Sequence, residues 1–172
     1  DKPKGVVSAA EDARDTTVVD LVREAFPRLN LFPAGRLDKT STGFVLLTDD
    51  GAFAHDILAP GRHVEKVYTV LLDTPLTQEM ISGFAAGVQP ADGSRMLPAL
   101  ARPGGQGPCS AEVVLHQGVY HQIKRMFGVY GAGVRELRRT AIGGVALDAA
   151  LGPGGWRELT AQELALLQAK RS

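Results

Sequence analysis

The chain has 172 residues, 44% hydrophobic and 22% charged, with 19 cationic and 19 acidic side chains that cancel to a formal net charge of zero. This supports one compact domain, built as two lobes around a cleft, and speaks against a uniformly basic nucleic-acid surface. Apolar runs such as 67–72 are too short for a bilayer, and the lone Cys109 excludes an internal disulfide or thiolate metal site, as suits a reducing cytoplasm.

Residues 6–9 read as a strand, and 17–25 as an amphipathic helix entered through Thr16 and Thr17. Residues 44–47 form an unbroken apolar strand, 52–58 a helix that ends before Pro60, and 64–72 another strand. The spacing then predicts a helix over 77–86 closed by Gly87, and two strands, 97–101 and 110–115, flanking a Gly/Pro loop at 103–108. A basic helix over 122–130 stops at Gly131 and Gly133, and the capping box Thr160-Ala161-Gln162-Glu163 opens a last helix carrying Leu164, Leu166 and Leu167. Strands and helices interleave without a regular βαβ beat, so the fold class is α+β with a mixed, mainly antiparallel sheet. No signal-peptide pattern, internal repeat or low-complexity tract is visible.

The segment from Gly35 to Gly51 carries the chemistry. Asp38 stands on a short polar turn before the buried strand, and Thr40, Ser41 and Thr42 supply hydroxyls that can tie the loop backbone down. A second cluster follows between residues 119 and 140, where Lys124, Arg125, Arg135, Arg138 and Arg139 face the single acid Glu136, with His121 in addition. A local excess of this kind can neutralise phosphates while acids elsewhere balance the total.

Gly35-Arg36-Leu37-Asp38 followed by Thr40-Ser41-Thr42-Gly43, an aliphatic strand and Thr48-Asp49-Asp50-Gly51 resembles the signature of pseudouridine synthases, specifically the RsuA-type subfamily that modifies ribosomal RNA. Three further blocks agree: the opening Asp1-Lys2-Pro3-Lys4-Gly5-Val6-Val7, the helix Tyr120-His121-Gln122-Ile123-Lys124-Arg125-Met126-Phe127, and Leu137 to Gly144 with Trp156 to Thr160, which look like closing strands. Together they span nearly the whole chain, which the resemblance makes a single pseudouridine synthase catalytic domain over 1–172. Members of this subfamily usually carry a small S4-like RNA-binding domain in front. Here the chain begins almost at the first strand, at Asp1 without a methionine, so loss of that front domain is expected.

The resemblance implies isomerisation of uridine to pseudouridine, which breaks the C–N glycosidic bond, turns the uracil and rejoins it through carbon. No atom is gained, so no cofactor or metal is expected. Asp38 is the catalytic carboxylate, as nucleophile or as base in a glycal route. Lys124 is the cation that pairs with it, favouring the ionised form and holding it oriented. Tyr68 matches the active-site tyrosine that packs on the target base, and Arg36 an arginine that helps hold the nucleotide flipped out. Arg62, His63, Lys66, Gln122 and Arg125 are expected RNA contacts. His121 is read as a hydrogen-bonding residue at a helix start rather than a general base, and Phe127, Leu137 and Ile142 as the apolar wall beneath the site.

The expected partner is ribosomal RNA or a small-subunit assembly particle, met by a monomer. The His-Gln-Ile-Lys-Arg-Met-Phe run is closer to 16S-modifying members than to the Arg-Gln-x-Arg-Arg pattern common in 23S-modifying relatives. A 23S substrate and a non-catalytic RNA-binding or ribosome-assembly role are the alternatives. A glycoside hydrolase would need a second catalytic acid at a suitable distance, and no paired-carboxylate motif stands out.

Overall fold

In chain order the elements are β1 (Phe32–Pro33), β2 (Thr42–Gly43), β3 (Leu47–Thr48), α1 (Gly51–Leu58), β4 (Lys66–Leu72), α2 (Gln78–Ala86), β5 (Leu100–Pro103), β6 (Ser110–Leu115), α3 (Gln122–Gly128), β7 (Val134–Ile142), β8 (Val145–Ala146) and α4 (Ala161–Gln168). They come from a computed structural model that describes residues 1–62, 64–118 and 121–169. The main sheet runs β2-β7-β4-β6-β5, with β8 folded back on β7, while β1 and β3 pair separately. Every ladder is antiparallel except β2 with β7, so the sheet is mixed and mainly antiparallel, as expected.

Helix positions follow the caps in the sequence. The Asp50 carboxylate accepts from the amides of Ala52 and Phe53 at the start of α1, the Thr77 hydroxyl accepts from Met80 at α2, and Thr160 and Glu163 form the reciprocal box at α4. Helix α3 buries Ile123, Met126 and Phe127, spaced one turn apart, against β4 and β6. Lys124 and Arg125 are thereby left on its less buried side. Phe84 of α2 meets Phe127 with ring centroids 4.7 Å apart, a tilted pair that adds about 0.5–1.5 kcal/mol beyond its buried area.

Three apolar clusters result among the described residues. The first holds Leu37, Tyr68, Leu72, Phe84 and the buried face of α3; the second holds Phe44, Leu46, Ile57, Ile142 and Leu167; a smaller third holds Val6, Val18 and Val19. The stretch from Leu37 to Leu46 contributes to the first two, so it runs from one to the other.

Gly43 shows how tightly that stretch is held. It has φ +108°, and a Cβ there would lie 2.2 Å from the Arg139 carbonyl oxygen, so only glycine lets β2 lie alongside β7. Gly143 and Gly144, both at positive φ, make the two-residue turn between β7 and β8.

Several expected elements are shorter or absent. Residues 6–9 make only an isolated bridge, Val7 with Thr17. The helix expected over 17–25 is a 3-10 turn, Asp20–Val22: β-branched Val18 and Val19 disfavour a helix entry, and Pro27 cannot extend one. Of the strand expected over 44–47 only Leu47 lies in a strand, β3, and among the described residues the Trp156 to Thr160 stretch, read as a closing strand, joins no sheet.

Candidate active site

Asp38 is the first residue of a turn in which the Ser41 amide donates to its carbonyl at 3.0 Å. Both flanking peptides are fastened to the N-terminal segment. The Ser8 hydroxyl donates to the Leu37 carbonyl and accepts from the Leu37 amide, each at 3.0 Å, while the Lys39 carbonyl accepts from the Gly5 amide at 2.9 Å and from Lys2 Nζ at 3.2 Å. Leu37 anchors in the core and Asp38 stays part-exposed. The expectation that Thr40, Ser41 and Thr42 tie this loop is therefore corrected. The hydroxyl that does so is Ser8; Thr40 is exposed, and among the described residues Ser41 Oγ is buried without a partner and Thr42 Oγ1 meets Arg138 at 3.5 Å.

Lys2 is the surprise beneath the loop. Only 2% exposed, its ammonium donates to the carbonyls of Pro3 at 2.9 Å, Val6 at 2.7 Å and Lys39 at 3.2 Å. Burial pushes its pKa down to about 8, and the negative charge of Asp38 pulls the other way. A lysine in an opening motif gives no hint of burial, because lysine is almost never fully buried unless its ammonium is matched. Here backbone carbonyls do the matching.

The Asp38 carboxylate is gripped at both oxygens. Lys124 Nζ lies 3.2 Å from Oδ2 and His121 Nε2 lies 3.1 Å from Oδ1. His121 holds its position at some cost: its φ of +47° and ψ of +35° are left-handed, the only such conformation outside glycine among the described residues. A non-glycine residue kept there costs about 1–2 kcal/mol, a pattern found where geometry serves function. His121, expected to satisfy a backbone or RNA hydrogen bond at the helix start, instead meets the Asp38 carboxylate. The signal was the three-residue spacing from Lys124, which brings both side chains to one side of α3.

Tyr68 is 8% exposed and packs in the same cluster as Leu37, opposite Arg139 on β7 and Val113 on β6. Among the described residues no hydrogen bond joins it to Asp38. The β4–β7 register slips between Val67 and Tyr68, leaving Thr140 as the extra residue, a bulge that re-aims the chain at the tyrosine. Phe127 is buried in the cluster of Leu37 and Tyr68 and Leu137 packs on its edge, whereas Ile142, expected in the same wall, is buried in the other cluster with Phe44 and Leu167.

The expected RNA contacts stand in different surroundings. Arg36 is exposed. Lys66 is half-buried, with its pKa lowered by burial and then by the Arg139 charge. Gln122 is buried and donates to Gln117 at 3.2 Å, and Arg125 pairs with Asp92 at 2.6 Å and Ser94 at 2.8 Å. Arg62 pairs with Asp56 and donates to the carbonyls of Leu167 at 2.8 Å and Ala169 at 3.1 Å, latching the end of α4. His63 lies outside the described residues. The five-cation cluster is also dispersed, since Arg138 pairs with Asp1 and Arg139 is buried with Nε on the Phe44 carbonyl at 2.8 Å.

A pinned, part-exposed carboxylate with a cation on one oxygen and an imidazole on the other is equipped for nucleophilic or general-base work. Residues 1–128 match the family model of RNA pseudouridylate synthases. The chain belongs to that family. As an RNA pseudouridine synthase it is an isomerase, and it resembles longer relatives. An uncharacterised RNA pseudouridine synthase of Bacillus subtilis is 45% identical over 168 residues, covering 96% of this chain and 70% of the relative. Proteins named ribosomal small subunit pseudouridine synthase A from Pseudomonas aeruginosa and Escherichia coli are 42% and 41% identical, each over 95% of this chain and 70% of theirs. A crystal structure of a pseudouridylate synthase superposes with a TM-score of 0.88 at 35% identity, over 96% of this chain and 70% of that one. An archaeal box H/ACA Nop10–Cbf5 complex shares the fold, with a TM-score of 0.56 at 19% identity over 82% and 45% of the two chains.

Proposed function

We propose that this pseudouridine synthase converts a specific uridine of ribosomal RNA, in 16S RNA of the small subunit, with Asp38 as the reacting carboxylate. The observation that carries the reading is the grip of Lys124 and His121 on the two Asp38 oxygens, on a loop fastened on either side. A carboxylate held and oriented in this way can add to the sugar or base, or remove the proton that opens a glycal route; uracil leaves, turns and rejoins through carbon. Tyr68 packs on the base from β4. Arg36, exposed two residues before Asp38, holds the target nucleotide out of its stack. The small-subunit assignment is supported by the names of the Pseudomonas and Escherichia relatives and by His121 standing where 23S-modifying relatives commonly have arginine.

In this reading residues 1–172 serve as the catalytic domain, acting as a cytoplasmic monomer on ribosomal RNA or a small-subunit particle. Among the described residues no helix is long and apolar enough to cross a membrane.

The test incubates the chain and an Asp38→Asn variant with unmodified 16S and 23S RNA and with small-subunit particles, mapping pseudouridine by reverse-transcription stops after chemical tagging. An Asp38-dependent stop in 16S RNA is expected. A stop only in 23S RNA overturns the substrate, and a stop that persists in Asp38→Asn overturns the role of Asp38.

A further inference from the structure

A groove of about 460 Å³ opens beside β3, α1, β8 and α4, and it shares no lining residue with the Asp38 cluster. Its apolar surface includes buried Phe44 and Leu46, and three large side chains left exposed beside them: Leu29 at 45%, Trp156 at 41% and Leu164 at 39%. Phe26 braces Trp156 edge-on, with centroids 5.2 Å apart and planes at 63°. Large apolar side chains exposed together within a polar rim mark an interaction site.

The charge of that rim identifies what it accepts. Asp1, Asp49, Asp50, Asp148, Glu158 and Glu163 line the groove against the single side-chain cation Arg157, whose guanidinium is already engaged by Asp148 at 2.9 Å and Glu163 at 2.7 Å. Asp1 is matched by Arg138 at 2.9 Å, and the other five acids against Arg157 leave a net charge of −4. The sign is fixed at neutral pH, because Arg157 and the Thr160 amide hold the Glu163 pKa down at about 2, and the Ala150 amide and Arg157 lower that of Asp148. Such a rim repels a polyphosphate chain and attracts cations. This is also where much of the acid that balances the total charge is gathered.

We propose that this groove is a docking site for a basic protein segment, one that places an apolar side chain against Trp156 and sets lysines or arginines over the carboxylate rim. A polypeptide offers both chemistries at the required spacing, as amphipathic segments do when they lie in apolar grooves. RNA has bases that can stack on an aromatic ring, but its phosphates carry the wrong charge for this rim.

Trp156 is the only tryptophan in the chain, so its emission reports the groove directly. The chain is titrated with a tryptophan-free amphipathic peptide of Lys, Leu and Phe and with its Glu-for-Lys counterpart. Expected are a saturable blue shift with the lysine peptide, none with the glutamate peptide, and none with an RNA oligonucleotide. Binding of the lysine peptide should weaken about tenfold in Asp49→Lys/Glu158→Lys, with pseudouridine formation unchanged. Leu164→Glu provides an independent loss of binding should the double variant not fold. Equal binding of both peptides, undiminished binding by either variant, or a saturable shift with RNA overturns the proposal. So does a shift that develops with protein concentration alone, which would make a second copy the occupant.

Discussion

His121 Nε2 and Lys124 Nζ approach opposite oxygens of Asp38, and the histidine does so from a left-handed backbone that a glycine would adopt without strain. Fold and chemistry can therefore be separated at this position. His121→Gly should leave stability unchanged or raise it by up to about 1 kcal/mol by relieving the strain. It should lower kcat about 10- to 100-fold as the carboxylate loses one side of its grip. Denaturant titration beside single-turnover kinetics checks this, and full activity in His121→Gly would make the contact incidental.

Lys124 gives a complementary case. Its ion pair with Asp38 is about one-third exposed on both sides and contributes no more than about 1 kcal/mol to folding. Lys124→Met should thus fold normally yet lose at least about tenfold in kcat, with Lys124→Arg restoring part of it. A Lys124→Met variant that is unstable and fully active would reverse the assignment.

Ser8 acts through the backbone. Its hydroxyl satisfies both the amide and the carbonyl of buried Leu37, so Ser8→Ala leaves two buried polar groups unmatched and costs about 1–3 kcal/mol. Measured well below the melting temperature, kcat should still fall, because Asp38 is then held on one side only. An unchanged kcat would show that Lys2 and Gly5 suffice.

Gly43→Ala meets backbone rather than a movable side chain. With the Arg139 carbonyl oxygen 2.2 Å from the new Cβ and φ at +108°, β2 must leave β7, at a cost of about 2–4 kcal/mol. Differential scanning calorimetry should show a much lower Tm, and a near-native Tm would contradict this packing.

Lys2 predicts a pH dependence of definite sign. Its folded pKa of about 8 lies below the ordinary value of 10.5, so between these limits the unfolded chain binds the proton better. Stability from this group therefore rises with pH across that window and is lowest where the buried amine is charged. Lys2→Met should be less stable throughout, and its deficit relative to wild type should widen from about pH 8 to about pH 10. A constant deficit in urea titrations would show that the amine titrates alike in both states.

The sequence made α1, α2, α4 and the central strands legible because each carries a local cause: Asp50, Thr77 and Thr160 as caps, Gly87 as a stop, and apolar runs along β4 and β6. It misled where a local cause was overridden. Thr17 does bond with Asp20 as a helix cap would, yet β-branched Val18 and Val19 and the coming Pro27 leave only a 3-10 turn. At the site, the Asp38 turn was legible in the residues around it, and its Lys124 partner through the family resemblance. The Lys2 contact with Lys39, the two hydrogen bonds of Ser8 with Leu37, the Arg62 latch on Leu167 and the Arg125 pair with Asp92 were not, because each joins residues 29 or more positions apart.

Those separations have a consequence for how the site comes into being. Asp38 is steadied by Ser8 acting on Leu37 across 29 positions, by Lys2 acting on Lys39 across 37 and by Lys124 across 86, while Arg139 holds the Phe44 carbonyl across 95. Loop closures of that length come slowly and late compared with hairpins and helices. The β4–β6 ladder beneath the site closes over 39 to 49 positions, a reach comparable with that of the contacts around Asp38. The poised acid is thus a property of the whole fold, and a fragment that lacks either end of these contacts does not hold Asp38 as the intact chain does.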